Sequence, residues 1–498
     1  MNSTFFGLEL SRRALESQQA ALNITGHNIA NANTQGYTRQ IANLTATPPY
    51  TVPIAGRNLS LGSGVTLDTI TRARDAFVDL QYRGENSKQQ YWSGKQDSLT
   101  KLEGIMNEPS NNSLSGDLNN FWKGWSDLSK NPENVGTRTV VQQRAITLTD
   151  SFHAISKQIS DMQNNLDSNV NVQISQINVY ANQIKDLNGL IKQAEVAGDN
   201  PNDLRDKRDN LVDELSKIVT VKVTETPDPS FTNRQVNIYR LDIGNGTPPQ
   251  TLVNDGLASQ LQGVTAPSGI GGNDITAVQW VGDSNHVAGA PLFLDQNMGT
   301  LQANIETRDT YLPTLLGKYD TLAQGIVTAV NDIHVTGTVT GTAFTNRPFF
   351  NTVNLTASTI SLDPSIASNI NNIVTGNGDS GDGSIAAAIS GFSTGWSSLT
   401  GANLTAIKAT YGASLGDSYG ATVAQLGVDV QQANRMKAGE DVLVTNLSNQ
   451  RDSLSGVSLD EEMMNLVKFQ KSYSAAARMV TMMDDMLDTI VNRMGLTR

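Results

Sequence analysis

The sequence predicts an α+β fold, mainly α, in which coaxial terminal helices and a long-helix bundle carry an inserted small β domain. Three observations lead there. Proline is absent before Pro48 and after Pro364, so helix is free to run at both ends while turns and sheet belong to the middle. Apolar residues recur in steps of three and four over long stretches, the period of helix faces packed on a core. Between residues 219 and 297 that period drops to two, the period of half-buried strands. At 498 residues the chain exceeds what a single hydrophobic core supports, so several domains are expected.

The first element is an N-terminal helix whose Leu8, Leu15, Leu22 and Ile29 repeat at seven. The second seam position is polar or small at Ser11, Gln18 and Thr25, with Ala14 and Ala21 beside the stripe. A ridge that narrow does not hold a helix in water and needs something to lean on. From Leu148 the apolar residues run Phe152, Ile155, Ile159, Met162, Leu166, Val170, Ile174, Ile177, Ile184, Leu187 and Ile191, a long bundle helix with consecutive fours near 166–174 that locally unwind a supercoil. A second helix is expected at 202–218 (Leu204, Leu211, Leu215, Ile218) and a third at 299–334, with Pro313 a kink point. Residues 405–450 carry a weaker helical pattern.

Strands are expected where Val219, Val221 and Val223 alternate, where Val236, Ile238, Leu241 and Ile243 alternate, and at 277–282. The Gly-, Ser-, Thr- and Asn-rich segment 341–400 reads as a second small insertion. The domains are therefore expected as 1–40 with 457–498 at the termini, a helical body of 41–218, 298–340 and 401–456, and the insertions 219–297 and 341–400.

The last helix has the clearest pattern. Leu459, Leu466, Tyr473, Val480, Leu487 and Met494 repeat at seven, and three places on stand Glu462, Phe469, Ala476, Met483 and Ile490, a coiled-coil seam with a single polar member. Ser458 can cap it, and Asp460, Glu461 and Glu462 put negative charge at the positive end of the helix dipole. Each of about eighty terminal residues costs ~1–2 kcal/mol of backbone entropy to order. Only about fourteen seam side chains return ~1.5–3 kcal/mol each. The two ends are therefore expected to fluctuate in the monomer and to fold when neighbouring copies surround them.

Composition excludes several function classes. The formal net charge is −12, with no basic patch to offset it, which argues against a nucleic-acid partner. No run of eighteen apolar residues argues for membrane insertion, and Glu9, Arg12 and Arg13 break the pattern of a cleaved secretory signal. There are no cysteines, hence no thiolate nucleophile and no Cys-ligated metal. His27, His153, His286 and His334 are far apart in sequence with no second histidine at metal spacing, so no metal, cofactor or catalytic residue is expected. NGDSGDGS at 377–384 lacks the glycine and closing glutamate of a calcium loop and reads as a loop ending in a helix cap at Asp382 or Ser384.

ITGHNIANANTQGYTRQ closely resembles the signature of the axial proteins of the bacterial flagellum, the rod, hook and hook-associated proteins, and SLDEEMMNLVKFQKSYSAAARMVTMMDDMLDTIV is similar to their C-terminal helix. LNNFWKGWSDLSKNPEN (118–134) and NDLRDKRDNLVDEL (202–215) narrow the resemblance to the hook-associated proteins at the junction of hook and filament. It implies a structural, non-enzymatic protein, exported through the flagellar type III apparatus by a chaperone that binds the C-terminal helix. Outside the cell it would assemble as a ring, with hook protein below and a second junction protein above. It also gives the Asn-rich patch a task as the hinge between an inner helical layer and an outer body. Gly36 can end the helix in a left-handed conformation. Asn28, Asn31 and Asn33 can satisfy helix-end carbonyls and neighbouring backbones, while Tyr37 and Arg39 project from one side of the extended exit.

Overall fold

A computed structural model describes residues 6–54, 57–110, 113–231, 234, 236–339, 347–399 and 407–489. The N-terminal helix α1 (Phe6–Ala30) leads into two antiparallel ribbons. In the first, β1 (Gln40–Ala46) pairs with β4 (Val65–Arg72); in the second, at its outer end, β2 (Tyr50–Ile54) pairs with β3 (Arg57–Leu61). The sequence reading folds 41–72 into the helical body. Most of the described residues there are strands instead, and Pro48, Pro49 and Pro53 sit in the turn and edge positions that proline tolerates.

The body is a helix bundle. It comprises α2 (Ala76–Met106), α3 (Leu114–Lys130), α4 (Val135–Ala197) and α5 (Asn202–Ile218). The long helix begins at Val135, ahead of the expected Leu148, because Asn134 accepts a hydrogen bond from the Gly136 N–H, and it ends at Gly198 with φ 91°. Its 63 residues span about 95 Å at 1.5 Å per residue. Its buried positions run Val141, Ala145, Leu148, Phe152, Ile155, Ile159, Met162, Leu166, Val170, Ile174, Ile177, Ala181, Ile184 and Ile191, the three-and-four rhythm read from the sequence.

The inserted sheet orders its strands β5 (Val221–Pro227), β6 (Asn237–Ile243), β7 (Thr251–Asn254), β8 (Leu257–Ala258), and the hairpin β9 (Leu261–Pro267), β10 (Asp274–Trp280) stands beside it. All neighbours are antiparallel. The expected third helix divides into α6 (Gly299–Glu306) and α7 (Leu312–His334), joined by a π-helical turn at Thr307–Tyr311 just ahead of Pro313. The interruption sits where Pro313 removes a backbone donor.

Two cores share the spine of α4. One gathers Val170 to Ile184 with Leu215, Leu241, Ile243, Trp280 and Leu301 beneath the sheet. The other gathers the start of α4 with α3 and α7. Into that second core the segment 347–399 sends Phe349, Phe350, Ile360, Ile366, Ile389, Phe392 and Trp396. Its small helices α8 (Pro364–Ser368) and α9 (Ser384–Ser390) thus close the bundle, and the segment shares that core with it. Asp382 accepts from the backbone N–H of Asn377 and of Ser384, holding the turn that starts α9. His334 is fully buried, its Nε2 accepting from the Val374 N–H, and burial pushes its pKa down to about 4. After helical residues 407–411 (α10), α11 (Leu415–Ser455) returns along α2 and α12 (Leu459–Asp488) returns along α1.

A candidate assembly junction at the base of the terminal helices

The pair α1 and α12 is antiparallel. Asn28 near the end of α1 donates to Glu462 near the start of α12, and at the far end Gly7 lies against the Met483 side chain. The residues buried on α1 are Ser11, Ser17, Ala21, Thr25 and Asn28. Leu8, Leu15, Leu22 and Ile29 of the heptad stripe are half-buried. The cause is a third layer: the β1–β4 ribbon lies on α1, with Ser17 Oγ donating to the Val65 carbonyl and Gly64 against Leu10. A helix held between a helix and a ribbon approaches both closely through small side chains.

On α12 only Glu462 and Ala476 are buried. Leu466, Phe469, Tyr473, Val480, Met483 and Leu487 are half-buried and Leu459 is exposed; Ile490 and Met494 lie outside the described residues. A second ridge of Met463, Met464, Val467, Met479, Met482 and Met486 faces outward.

Where the pair meets the body, each residue of the Asn-rich patch has a distinct contact. Gly36 has φ 74°, and a Cβ there would stand 2.0 Å from Asn210 Oδ1, so only glycine fits. Asn31 Nδ2 donates to the His27 carbonyl at 3.0 Å, and Asn33 is exposed on the turn. Asn28 Oδ1 accepts from the Gln40 N–H at 3.0 Å and its Nδ2 donates to the Gln40 carbonyl at 2.9 Å. The side-chain amide thereby acts as one rung of a strand ladder and fixes how the chain leaves the helix. Tyr37 donates to Asn28 Oδ1 at 2.7 Å; burial, with the carboxylates of Asp203, Asp206 and Glu462, pushes its phenol above the ordinary range. Arg39 donates its backbone N–H to the Ser455 carbonyl, and its guanidinium holds Glu462 at 2.7 Å and Glu461 at 2.8 Å. Tyr37 therefore faces α1 and Arg39 faces α12.

Beneath this clasp lies a set of ion pairs on residues that sequence reasoning did not single out. Arg72 reaches Asp206 at 2.8 Å and Asp209 at 2.7 Å; Arg74 reaches Asp79 at 2.5 Å and Asp209 at 3.1 Å; Arg83 reaches Asp213 at 2.6 Å; and Arg451 of α11 reaches Asp213 at 2.7 Å. The Thr38 N–H donates to Asp206. Ribbon, α2, α5 and α11 are thus tied through one face of α5. Burial works against the Asp209 charge, but Arg74, Arg72, Arg83 and Arg208 hold its carboxyl well below the usual carboxylate range. Part of the signal was present in the sequence: Asp206, Asp209 and Asp213 share a helix face, while Arg74 lies just past the end of β4.

A second tie between α2 and α11 responds to pH. Burial, and the Glu85 carboxyl that hydrogen-bonds to it, push Glu440 up to about 7. Its folded pKa stands above the ordinary 4.5, so this contact contributes fully below that value and is lost as pH rises through about 7. Glu440→Gln is expected to flatten the pH dependence of the body's melting temperature across that window, read by circular dichroism. An unchanged slope would contradict the assignment.

Two clefts open at the junction. One, of 620 Å³, lies between β4, the start of α2, α5 and β5; the other, of 780 Å³, lies between residues 32–39 and the link from α11 to α12. Among the described residues no group of three His, Asp or Glu could hold a metal, and no helix is long and apolar enough to cross a membrane.

Comparison with known proteins agrees with this layout. Residues 99–350 match a family model described as the flagellar hook-associated protein FlgK helical domain. Residues 8–38 match one described as flagella basal body rod protein, and 449–494 one described as flagellar basal body rod FlgEFG protein C-terminal. A Bacillus subtilis protein named flagellar hook-associated protein 1 is 33% identical over 520 residues, covering 100% of this chain and 99% of its own. The Escherichia coli protein of that name is 25% identical over 539 residues, 96% of this chain and 98% of its own. The solved structure of the flagellar hook junction protein FlgK from Burkholderia pseudomallei shares the fold, with TM-score 0.59 at 14% identity over 76% of this chain and 100% of that one.

Proposed function

The chain belongs to the flagellar hook-associated protein 1 family, and from that premise we propose that it is the structural piece of the bacterial flagellum that joins hook to filament by self-assembly through its terminal helices. The observation that carries this reading is the incomplete burial of the α1–α12 pair. Leu459, Met463, Met464, Val467, Met482 and Met486 each stand at about half exposure or more on one helix, a gathering of exposed apolar side chains that marks an interaction surface. Neighbouring copies in a ring would cover it, and the clasp at Asn28, Tyr37 and Arg39 would set the angle between inner helices and outer body.

The partners on this reading are further copies of the chain, hook protein on one side and the second junction protein on the other. An export chaperone would mask the half-buried seam of α12 before assembly, and no enzymatic step is needed. A hook or rod identity fits less well, because α2 to α5 make this part of the body helical where a hook-type body is expected to be mostly β.

A strain lacking the protein is expected to build hooks and to shed flagellin into the medium; filaments that stay attached would refute the junction role. Amide exchange on the purified monomer is expected to show both ends unprotected, since α12 buries only Glu462 and Ala476. Slow exchange along α1 and α12 would overturn folding on assembly.

A further inference from the structure

Copies of a chain with net charge −12 repel one another, so contacts between their bodies are least opposed where a surface carries no charge. Two long helix faces meet that condition, although Asp, Glu, Lys and Arg make up 17% of the chain. On α4 no charged residue is exposed between Asp161 and Asp186, a stretch of about 35 Å. Val172 and Val179, 63% and 51% exposed, share its outward line with Asn165, Ser168, Gln176 and Gln183. On α11 Arg435 is the one exposed charge between Ser418 and Gln450, about 45 Å. There Val428 and Val442, 55% and 60% exposed, stand with Ala424, Ala438 and Gly439. Surfaces that stay in water are normally dense in charge. Depletion of charge around exposed apolar side chains is instead the composition of an interface core.

Hydrogen bonds place the two faces at opposite ends of one stack of helices. Lys437 and Asp441 of α11 bond to Gln96 and Gln89 of α2. Tyr91 and Lys95 of α2 bond to Glu306 of α6, and Thr300 and Asn304 of α6 bond to Gln173 of α4. The order is therefore α11, α2, α6, α4. Val442 follows Asp441 and Val172 precedes Gln173, so the two valines stand at nearly one level on opposite sides of the body. The α11 face is low, with alanine and glycine between its valines, whereas the α4 face carries longer amides. One can seat on the other as ridge in groove.

Resting on the self-assembly reading above, we propose that the 165–183 face of α4 packs against the 424–446 face of α11 in a second copy of this chain. Two different faces meet, so the contact is heterologous. Faces at one level on opposite sides carry it round into a ring, whereas an isologous contact stops at a dimer. It holds the bodies side by side, separately from the apolar ridge of α12.

The chain has no cysteine, so a short bismaleimide cross-linker reads the contact directly. Flagella are isolated from cells whose full-length protein carries Val172→Cys, Val442→Cys or both. The expected result is a ladder of multimers from the double variant and monomer from each single one. Adding Val179→Asp to the double variant should lower the multimer yield about tenfold, the effect of dehydrating an unpaired carboxylate in the contact. The circular dichroism melt of that purified chain should be unchanged, because Val179 is exposed in the single copy. Val442→p-benzoylphenylalanine should on irradiation attach to residues 165–183 of another copy, and capture of a different flagellar protein there would overturn the inference. If the flagella contain the chain but the double variant gives no ladder, or a single variant dimerises, the face-to-face contact is wrong and self-assembly stands. If the unsubstituted chain is absent from the flagella, the self-assembly reading falls and this contact with it.

Discussion

Replacing Val480 and Leu487 together with Asp is expected to abolish junction formation and motility while leaving the melt of the central body unchanged. Both residues are half-buried on the face of α12 that turns toward α1. Each loses roughly half of the ~1.5–3 kcal/mol of apolar transfer that full burial gives, and each new carboxylate must be dehydrated wherever copies pack against the seam. The body is insulated because its two cores draw nothing from α1 or α12. Negative stain of cells and a circular dichroism melt of the purified variant read the two halves separately. Normal motility would remove the seam from the assembly surface, and a lost melt would show that terminal helices and body fold as one unit.

Asp209→Asn is expected to do the reverse, destabilising the body itself by about 3–5 kcal/mol, the usual result of removing one partner of a buried ion pair. The carboxylate stands 2.7 Å from Arg72, 3.1 Å from Arg74 and 3.5 Å from Arg83, and neutralising it leaves three guanidinium groups facing one another across the root of α2. The pH dependence gives a second reading. Because the folded carboxyl is held below the ordinary 3.8, its contribution is present above that value and is lost as pH falls through the depressed folded pKa. The variant should therefore lose stability at neutral pH and show a shallower acid limb than the parent protein. Equal urea midpoints for the two at neutral pH would show that the arginines find other acceptors and that Asp209 is dispensable.

The parts of the molecule legible in the sequence are those where one face of one element carries the information. The long helix through Leu148 to Ile191 and the strands around Val221 and Ile243 bury the residues their periods pick out, because a packed face repeats at the pitch of its own backbone. The role of Gly36 was legible for a similar reason, since a left-handed stop after a helix is a local need of the chain. The β1–β4 ribbon was not legible. Its burial alternates weakly, with Leu44 and Leu67 paired and half-buried, so no strong period marks it, and its existence depends on α1 as a support.

By itself the sequence determined the mainly helical class with its β insertion, the helical ends, the absence of cysteine chemistry, and the kinship carried by ITGHNIANANTQGYTRQ and the last heptads. Only the tertiary structure decided that the buried line of α1 is serine, alanine and threonine, that Arg72, Arg74, Asp209 and Asp213 are the tie between ribbon, α2 and α5, and that residues 347–399 complete the main core. The physical reason is that periodicity records which face of an element is covered, whereas partner identity and distance of approach arise only when elements remote in sequence meet. An arginine on a strand and an aspartate on a helix 137 positions later carry no mark of each other until folding removes the water between them.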